Sequence, residues 1–154
     1  EIRQKFFYSF WKMRNPADPE GQWLKYKRKL KEVNRFYKTQ IKSGYETDRG
    51  RIYLRYGPPN TIVSREHEPS SYPYEIWHYY NTNDGQSNVK FVFYDPDLTT
   101  NDYQLLHSTA IGEIKDYRWH LRLQMRNTPE NNLDIGTGQD HWGSEAQDLF
   151  NHPR

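Results

Sequence analysis

The chain has no cysteine, and this absence excludes disulfides, thiolate metal sites and cysteine nucleophiles. It also lacks any run of about 18 apolar residues, the length that a membrane-spanning helix requires. Hydrophobic residues make up only 34% of its 154 residues, whereas globular domains usually contain ~45–50%. Thirteen Tyr, five Trp and seven Phe compensate for the shortage of aliphatic residues, because each aromatic side chain can bury about 150–250 Å². We therefore expect one hydrophobic core that is rich in aromatics.

Motifs that carry catalysis or bind metals are also missing. The sequence has no Gly-x-Ser-x-Gly elbow, no glycine-rich phosphate loop ending in Lys-Ser or Lys-Thr, and no His-Glu-x-x-His. No two of its six histidines lie four residues apart, the spacing that places two metal ligands on one helical face. The acidic stretch at residues 95–106 lacks the glycine and the glutamate of a calcium loop. We therefore assign no catalytic residue and predict no metal site and no cofactor.

Charge is distributed unevenly along the chain, although the net charge is only +2. Residues 1–43 contain twelve Lys or Arg and four Asp or Glu, a net charge of +8, whereas residues 44–154 contain ten and sixteen, a net charge of −6. A basic layer that packs on the acidic remainder of the same domain accounts for this pattern, and so does a basic arm that binds an acidic partner. The sequence leaves both interpretations open.

Apolar residues at helical spacing predict two N-terminal helices. The first covers residues 1–14 and ends before the proline-containing turn at residues 15–19. The second covers residues 20–41, where apolar positions recur every three or four residues and Lys or Arg surround the other face. We expect Ser43-Gly44 to close this helix with a left-handed cap.

Strands are predicted after Pro59, where β-branched and aromatic residues are frequent. The candidate strands are residues 61–65, 72–80, 89–94 and 103–108. The Asp84-Gly85 pair between the second and third strands is typical of a hairpin. We therefore predict an α+β fold in which the N-terminal helices and one later helix pack on an antiparallel sheet of three or four strands.

The C-terminal part of the chain is predicted to contain one more helix, from about residue 113 to residue 126. Residues 127–154 are rich in Asn, Gly and Pro and contain only scattered apolar anchors. We therefore predict a single domain over residues 1–126 and an irregular tail over residues 127–154 that packs on it.

Residues 44–59, with the sequence GYETDRGRIYLRYGPP, are the most informative segment. The Thr-Asp pair at 47–48 can N-cap a short helix, and Gly57-Pro58 is a typical helix end. Ile52 and Tyr56 lie four residues apart and favour a helix between these points, although the same region also fits the period of two that a strand requires.

This segment resembles the core motif of the GWxTD domain family, which is named for a Gly-Trp-x-Thr-Asp string. Gly44, Thr47 and Asp48 match the motif, and Tyr45 stands in place of the motif tryptophan. The resemblance extends over roughly residues 6–119. It implies a bacterial cell-envelope protein, periplasmic or associated with the outer membrane, in a family without an assigned reaction.

The resemblance also sets the expected function. The sequence begins at Glu1 without a methionine, and we expect a signal or lipoprotein leader, or a whole domain, to precede it. The chain would then be the C-terminal domain of a larger exported protein. We expect a non-catalytic structural or interaction module that binds a protein partner through exposed aromatic and basic residues. The oligomeric state and the identity of the partner stay open.

Five residues are candidates for a binding site, namely Asp48, Arg49, Arg51, Glu75 and Trp77. A carboxylate, two guanidinium groups and free amides at a helix N-terminus together suit an anion. The structural alternative is a helix cap with ion pairs, in which Arg51 pairs with Asp48 or Glu75. The residues predicted to form the structural motif are Gly44, Tyr45, Thr47, Asp48, Gly57 and Pro58.

Two other functions stay open from the sequence. A glycan-active enzyme would use two of Asp48, Glu75 and Asp95 facing each other at about 5–10 Å across a cleft. The basic helix at residues 20–42 could bind anionic lipid, lipopolysaccharide or nucleic acid. We disfavour nucleic acid because the aromatics of this helix fall mostly on its apolar face and an envelope location would remove the ligand.

Overall fold

The computed structural model of the chain describes residues 1–68, 71–124 and 145–154. Over these residues it contains five α-helices, one 3-10 turn and four strands. In chain order they are α1 (Ile2–Arg14), α2 (Pro19–Tyr37), the 3-10 turn (Gly44–Glu46), α3 (Asp48–Tyr56), β1 (Thr61–Arg65), β2 (Tyr74–Asn81), β3 (Ser87–Tyr94), β4 (Gln104–Ser108), α4 (Trp119–Leu123) and α5 (Ala146–Asn151). The segment at residues 48–56 is helical, as favoured above. None of the described helices is both long and apolar enough to cross a bilayer.

The four strands form an antiparallel meander in the order β1-β2-β3-β4. The predicted α+β class is confirmed, and each strand begins and ends within two residues of its predicted bounds. The Asp84-Gly85 turn joins β2 to β3, and Gly85 has a φ of +85°, which favours glycine. The pairing of β3 with β4 shifts by one residue between Val92 and Phe93, a β-bulge that bends β4.

Both faces of the sheet are covered, because side chains alternate between two apolar clusters. Trp77, Phe91 and Phe93 belong to the cluster shared with α2 and α3, whereas Ile76 and Val92 belong to the cluster shared with α4 and α5. All five of these side chains are fully buried. The aromatic-rich core that the composition predicted therefore lies mainly between the sheet and the α2–α3 layer.

The helix α1 packs on α2 through aromatic rings. The centroid of Phe7 lies 4.7 Å from that of Trp23, and the centroid of Trp11 lies 5.8 Å from Trp23 and 5.5 Å from Tyr26. Trp11 is the buried residue of α1. Edge-to-face and tilted pairs at these distances stabilise the helix pair beyond the effect of buried area alone.

The predicted end of α2 is wrong by four residues, because the helix stops at Tyr37 rather than at residue 41. The hydroxyl of Thr39 accepts hydrogen bonds from the amides of Ile41 and Lys42, and the amide of Thr39 donates to the carbonyl of Lys42. This side-chain turn competes with helix continuation. The left-handed cap at Ser43-Gly44 is also wrong, since Gly44 has no positive φ and begins the 3-10 turn.

The predicted helix over residues 113–126 is wrong at its start, because α4 begins at Trp119. The side chain of Asp116 accepts the amide of Arg118, and the amide of Asp116 donates to Nδ1 of His107. These local bonds hold the segment before α4 in a turn. The predicted end of this helix is wrong too, because α4 ends at Leu123 and Gln124 is extended and forms a β-bridge with Ser71. The predicted domain boundary at residue 126 and most of the tail lie outside the described residues.

The end of the predicted irregular tail is helical instead. Residues 146–151 form α5, and Leu149 is 1% exposed within the second apolar cluster. A sequence that contains Asn and Pro nearby can still form one helical turn when tertiary packing buries an apolar side chain.

Candidate functional site

The 3-10 turn between α2 and α3 depends on two glycines that allow close backbone approach. A Cβ on Gly44 would lie 2.2 Å from the carbonyl oxygen of Val33 in α2, and a Cβ on Gly50 would lie 1.8 Å from the carbonyl oxygen of Gly44. Side chains cannot be accommodated at such distances from backbone atoms. Gly44 and Gly50 therefore let the 3-10 turn lie directly between α2 and α3.

Thr47 and Asp48 hold the start of α3. The hydroxyl of Thr47 accepts the amide of Gly50 at 3.1 Å and donates to the carbonyl of Gly44 at 2.7 Å, with the residue 1% exposed. Asp48 accepts the amide of Leu105 in β4 at 2.8 Å. The cap interpretation of this pair is therefore correct, and Asp48 also fixes α3 to the sheet.

Arg49 and Glu75 form a buried ion pair between α3 and β2. Nη1 of Arg49 lies 3.0 Å from Oε1 of Glu75, and the two side chains are 7% and 14% exposed. Nη2 of Arg49 donates to the carbonyl of Asn101 at 3.0 Å. The other oxygen of Glu75 accepts Nε1 of Trp77 at 3.0 Å. Both oxygens of Glu75 are thus engaged within the protein.

Two tyrosine rings enclose the Arg49 guanidinium. Its carbon lies 4.2 Å from the ring centroid of Tyr103 and 5.4 Å from that of Tyr37, distances suited to cation–π attraction. Burial, together with the charge of Glu75, raises the pKa of Tyr103 to about 12. Burial raises the pKa of Tyr37 as well, so both rings stay neutral at physiological pH and act as packing around the ion pair.

Arg51 does not join this pair but turns to the loop before α4. Its two terminal nitrogens donate to the two oxygens of Glu113 at 3.1 and 2.9 Å. Arg55 and the hydroxyl of Tyr56 donate to the same carboxylate at 2.7 and 3.2 Å. One predicted partner of Arg51 is wrong, because Glu75 pairs with Arg49 instead. The other predicted partner, Asp48, lies 3.9 Å from Arg51, which is long for an ion pair.

Sequence reasoning missed Glu113, although its side chain is only 4% exposed and accepts four hydrogen bonds from three residues of α3. Burial would raise its pKa, but the hydrogen bonds and charges of Arg51 and Arg55 outweigh burial and hold the pKa below the ordinary 4.5. A lone Glu in a segment predicted to be helical gave no signal that three groups of α3 converge on it.

The other residues predicted for the site or the motif lie in the core, at the end of α3 or on the surface. Trp77 is fully buried, and its ring lies 4.8 Å from Phe93. Gly57 ends α3 with a φ of +87°, and its carbonyl accepts the hydroxyl of Tyr79 at 2.9 Å. Pro58 and Tyr45 are both exposed. Tyr45 donates its amide to the side chain of Asn34 at 3.4 Å.

The five candidate binding residues therefore make contacts within the fold and do not line one open site. The α3 amide of Gly50 is taken by Thr47, and that of Arg51 by the Thr47 carbonyl, so these two helix-start amides offer no donor to an anion. Asp95, the third carboxylate of the enzyme alternative, is 5% exposed, and burial raises its pKa. In the part of the chain that the structure describes, no three His, Asp or Glu residues are placed to hold a metal ion.

A second charged region lies on α2. Seven cations of α2 and its C-cap form no ion pair with any of the described residues, and they are Lys25, Lys27, Arg28, Lys29, Lys31, Arg35 and Lys38. Lys42, beyond the helix, pairs with Asp102 at 2.6 Å. The basic N-terminal part thus reaches the acidic remainder there, while the outer surface of α2 keeps its positive charge.

Comparison with known families identifies the family of this chain. A family model for the GWxTD domain matches residues 3–119. The chain belongs to the GWxTD domain family. No curated protein and no solved structure matches it. In this GWxTD domain the motif glycine allows close approach to α2, the motif threonine caps α3, and the motif aspartate binds β4, while the tyrosine at the tryptophan position is 46% exposed.

The Glu113 cluster predicts a pH-dependent stability for this GWxTD domain. A folded-state pKa below the unfolded value means that the ionised carboxylate stabilises the fold above about pH 4.5 and that this contribution is lost as the pH falls through the folded pKa. We expect Glu113→Gln to lower the free energy of unfolding at pH 7 by about 1–2 kcal/mol, allowing for solvent screening of the half-exposed arginines. Thermal unfolding of both proteins from neutral to acidic pH would measure the difference.

The matched control is Glu145→Gln, which removes a carboxylate that is 63% exposed and lies 3.4 Å from Arg65. It should change stability by less than about 0.5 kcal/mol at any pH. The gap between wild type and Glu113→Gln should narrow at acidic pH; a gap that stays constant from neutral to acidic pH would contradict the assigned role of Glu113.

Proposed function

We propose that this GWxTD domain is a non-catalytic interaction module of the bacterial cell envelope that binds an acidic protein partner. The surface used is the basic face of α2, defined as Leu24, Lys27, Arg28, Lys31 and Arg35. The envelope location is what the family resemblance implies. Fractionation of cells that express the full-length protein tests the location separately from the interaction.

One contrast between the cations of neighbouring helices carries the proposal. In α3, Arg49, Arg51 and Arg55 are all paired with carboxylates inside the fold. In α2, none of Lys27, Arg28, Lys31 and Arg35 forms an ion pair with residues of the described ranges. A field of unpaired like charge raises the rate of association with an acidic surface and rejects basic ones.

The basic face also has an apolar centre. Leu24 is 46% exposed and lines a shallow pocket together with Lys27, Arg28 and Lys31. These four residues follow the spacing of three, four and seven that aligns side chains along one side of a helix. A pocket with an apolar floor and a charged rim resembles the centre and edge of a protein interface.

The enzyme alternative is not favoured by the same contacts. Glu75 has both oxygens engaged by Arg49 and Trp77, and Asp48 accepts the Leu105 amide. A pair of glycosidase carboxylates needs one group free to protonate the leaving oxygen and another open to the sugar or to water. Glu75 does not meet that requirement, because neither of its oxygens is free. Asp48 is 41% exposed and keeps one oxygen open to water, so it would act without Glu75 as a catalytic partner.

Site-specific cross-linking in cells tests the proposal. A photo-reactive phenylalanine analogue is placed at Leu24 of the full-length protein, and adducts are identified by mass spectrometry. We expect a discrete protein adduct whose yield falls about tenfold in the Lys27→Glu, Lys31→Glu background, because rim charges govern encounter. The same analogue at Tyr117, which is 78% exposed in the loop before α4, serves as the matched control.

Three results would contradict the proposal. One is equal adduct yield from positions 24 and 117, which would indicate random collision. Another is a Leu24 adduct that is unchanged by charge reversal. The third is an adduct between position 24 and nucleic acid. In that case the purified chain should bind a single-stranded oligonucleotide, with an affinity that falls steeply as the salt concentration is raised.

A further inference from the structure

The helix α1 has an exposed apolar side that the α1–α2 contact does not use. Phe7 and Trp11 pack on Trp23 of α2. Ile2, Phe6 and Met13 are 85%, 73% and 85% exposed, and Phe10 is 39% exposed. Large apolar side chains exposed to this degree and adjacent to each other mark a surface that contacts something other than water.

These four residues lie along one side of the helix. Their spacing of four, four and three residues places them within a narrow stripe at about 100° of rotation per residue. We call Ile2, Phe6, Phe10 and Met13 the α1 stripe. The same rotation places the stripe on a different side of α1 from Trp11. The helix α1 can therefore pack on α2 through Trp11 while the stripe stays exposed.

Cations border the α1 stripe on both sides. By helical position, Arg3 and Arg14 flank one side, while Lys5 and Lys12 flank the other. Arg14 lies 4.4 Å from the ring centroid of Phe10, so its charge sits at the edge of the apolar surface. Lys5 makes only an exposed contact with Glu1, both side chains being at least 75% exposed. The stripe is thus an apolar strip between two rows of positive charge.

We propose that the α1 stripe docks on the surface of an anionic lipid bilayer. Ile2, Phe6, Phe10 and Met13 enter the boundary between headgroups and acyl chains, with the helix lying parallel to the membrane. The flanking Lys and Arg extend their aliphatic stems along the apolar side chains and place their charges at the lipid phosphates. Each such cation strengthens binding to an anionic surface by about a factor of five.

Charge decides between the occupants of this surface. A second copy docking stripe to stripe would bring together two segments of net charge +8, and like charges facing each other disfavour that contact. A helix that lies in an anionic bilayer surface has acyl chains beneath it and negatively charged headgroups along both of its sides. The stripe matches the acyl chains, and its two rows of cations match the headgroups. This surface is distinct from the basic face of α2 and does not depend on the protein partner proposed above.

Vesicle binding of the whole 154-residue chain tests the proposal. The probes are vesicles of equal parts phosphatidylcholine and phosphatidylglycerol, and vesicles of phosphatidylcholine alone. We expect co-sedimentation with the anionic vesicles and at least about tenfold weaker binding to the neutral ones. The Phe6→Asp, Met13→Asp double variant should lose at least about tenfold in affinity for the anionic vesicles.

The Gln4→Asp, Tyr8→Asp double variant is the matched control, because it adds the same two charges at exposed residues of α1 that lie off the stripe by helical position. It should bind within about threefold of wild type, because the two added negative charges lie on a side of α1 that faces away from the membrane. Circular dichroism of all variants checks folding. Since the chain has no cysteine, Phe6→Cys and Tyr8→Cys can each carry one environment-sensitive dye, and only the dye at position 6 should shift to shorter emission wavelength on the vesicles.

The outcomes are distinct. No binding of the folded wild type to anionic vesicles overturns the proposal. Equal affinity of the Phe6→Asp, Met13→Asp variant and the charge-matched Gln4→Asp, Tyr8→Asp variant overturns it too, since binding would then come from charge alone. If the chain does not bind vesicles but forms a concentration-dependent dimer that Phe6→Asp abolishes, the stripe contacts a second copy instead. If it does not bind vesicles but position 6 cross-links to a protein in cells, the stripe binds a groove of that protein.

Discussion

Replacing Arg49 with methionine should lower the free energy of unfolding by about 3–5 kcal/mol, because it leaves the Glu75 carboxylate buried without its cation. The Glu75 side chain is only 14% exposed and cannot be solvated freely. The variant also removes the guanidinium from between Tyr103 and Tyr37 and leaves the Asn101 carbonyl without its donor. Urea denaturation at neutral pH measures the loss.

A double variant separates the cost of an unpaired charge from a general packing defect. Glu75→Gln keeps an oxygen that can accept Nε1 of Trp77 but removes the negative charge. Arg49→Met combined with Glu75→Gln should therefore recover at least half of the lost stability. Arg28→Met, on the exposed basic face of α2, is the control and should stay within about 0.5 kcal/mol of wild type. If the single and double variants are equally unstable, the ion pair is not the reason.

Gly50→Ala should destabilise the protein by about 3 kcal/mol, although alanine in place of glycine usually favours a helix by about 1 kcal/mol. The sign is reversed because the new Cβ would lie 1.8 Å from the carbonyl oxygen of Gly44 and 2.8 Å from Cγ1 of Val33. Relief of this overlap requires the 3-10 turn to move away from α3. Chemical denaturation, with the slope compared to that of wild type, measures the effect.

A graded control exists in α2. A Cβ on Gly21 would lie 1.9 Å from a carboxylate oxygen of Asp18, which is the end of a side chain and can rotate away. Gly21→Ala should therefore change the stability by less than about 1 kcal/mol, because the helix preference of alanine offsets the N-cap bond that Asp18 gives up. A Gly50→Ala protein as stable as Gly21→Ala would show that the turn and α3 are not held in close contact.

Local chemistry made the sheet and α3 predictable from the sequence. The strands alternate apolar residues for two separate clusters, and the Asp84-Gly85 turn requires a positive φ that glycine supplies. Thr47 and Gly57 mark the two ends of α3 with side-chain and backbone bonds that involve near neighbours. Signals of this kind are complete within a few residues, and for this reason they can be seen without the fold.

The missed features depend on contacts between distant residues. Glu113 is sixty-two positions from Arg51, and no local pattern connects them. The early end of α2 follows from the turn formed by the Thr39 hydroxyl, which competes with a helical pattern that continues to Ile41. A carboxylate beside aromatics suggests a binding site at Glu75 and Trp77, but the packing of α3 on β2 pairs Glu75 with Arg49 and buries Trp77 in the core, which the sequence alone does not show.

The hydrogen bond from the Leu105 amide to Asp48 has a consequence for self-association. Because β4 is the last strand of the meander, an amide there that is not used by β3 could recruit a strand from a neighbouring molecule. The aspartate of the family motif occupies this donor, and its carboxylate would repel an incoming carbonyl oxygen. We therefore expect the motif aspartate to disfavour intermolecular strand addition at this sheet edge, and with it the growth of fibrils.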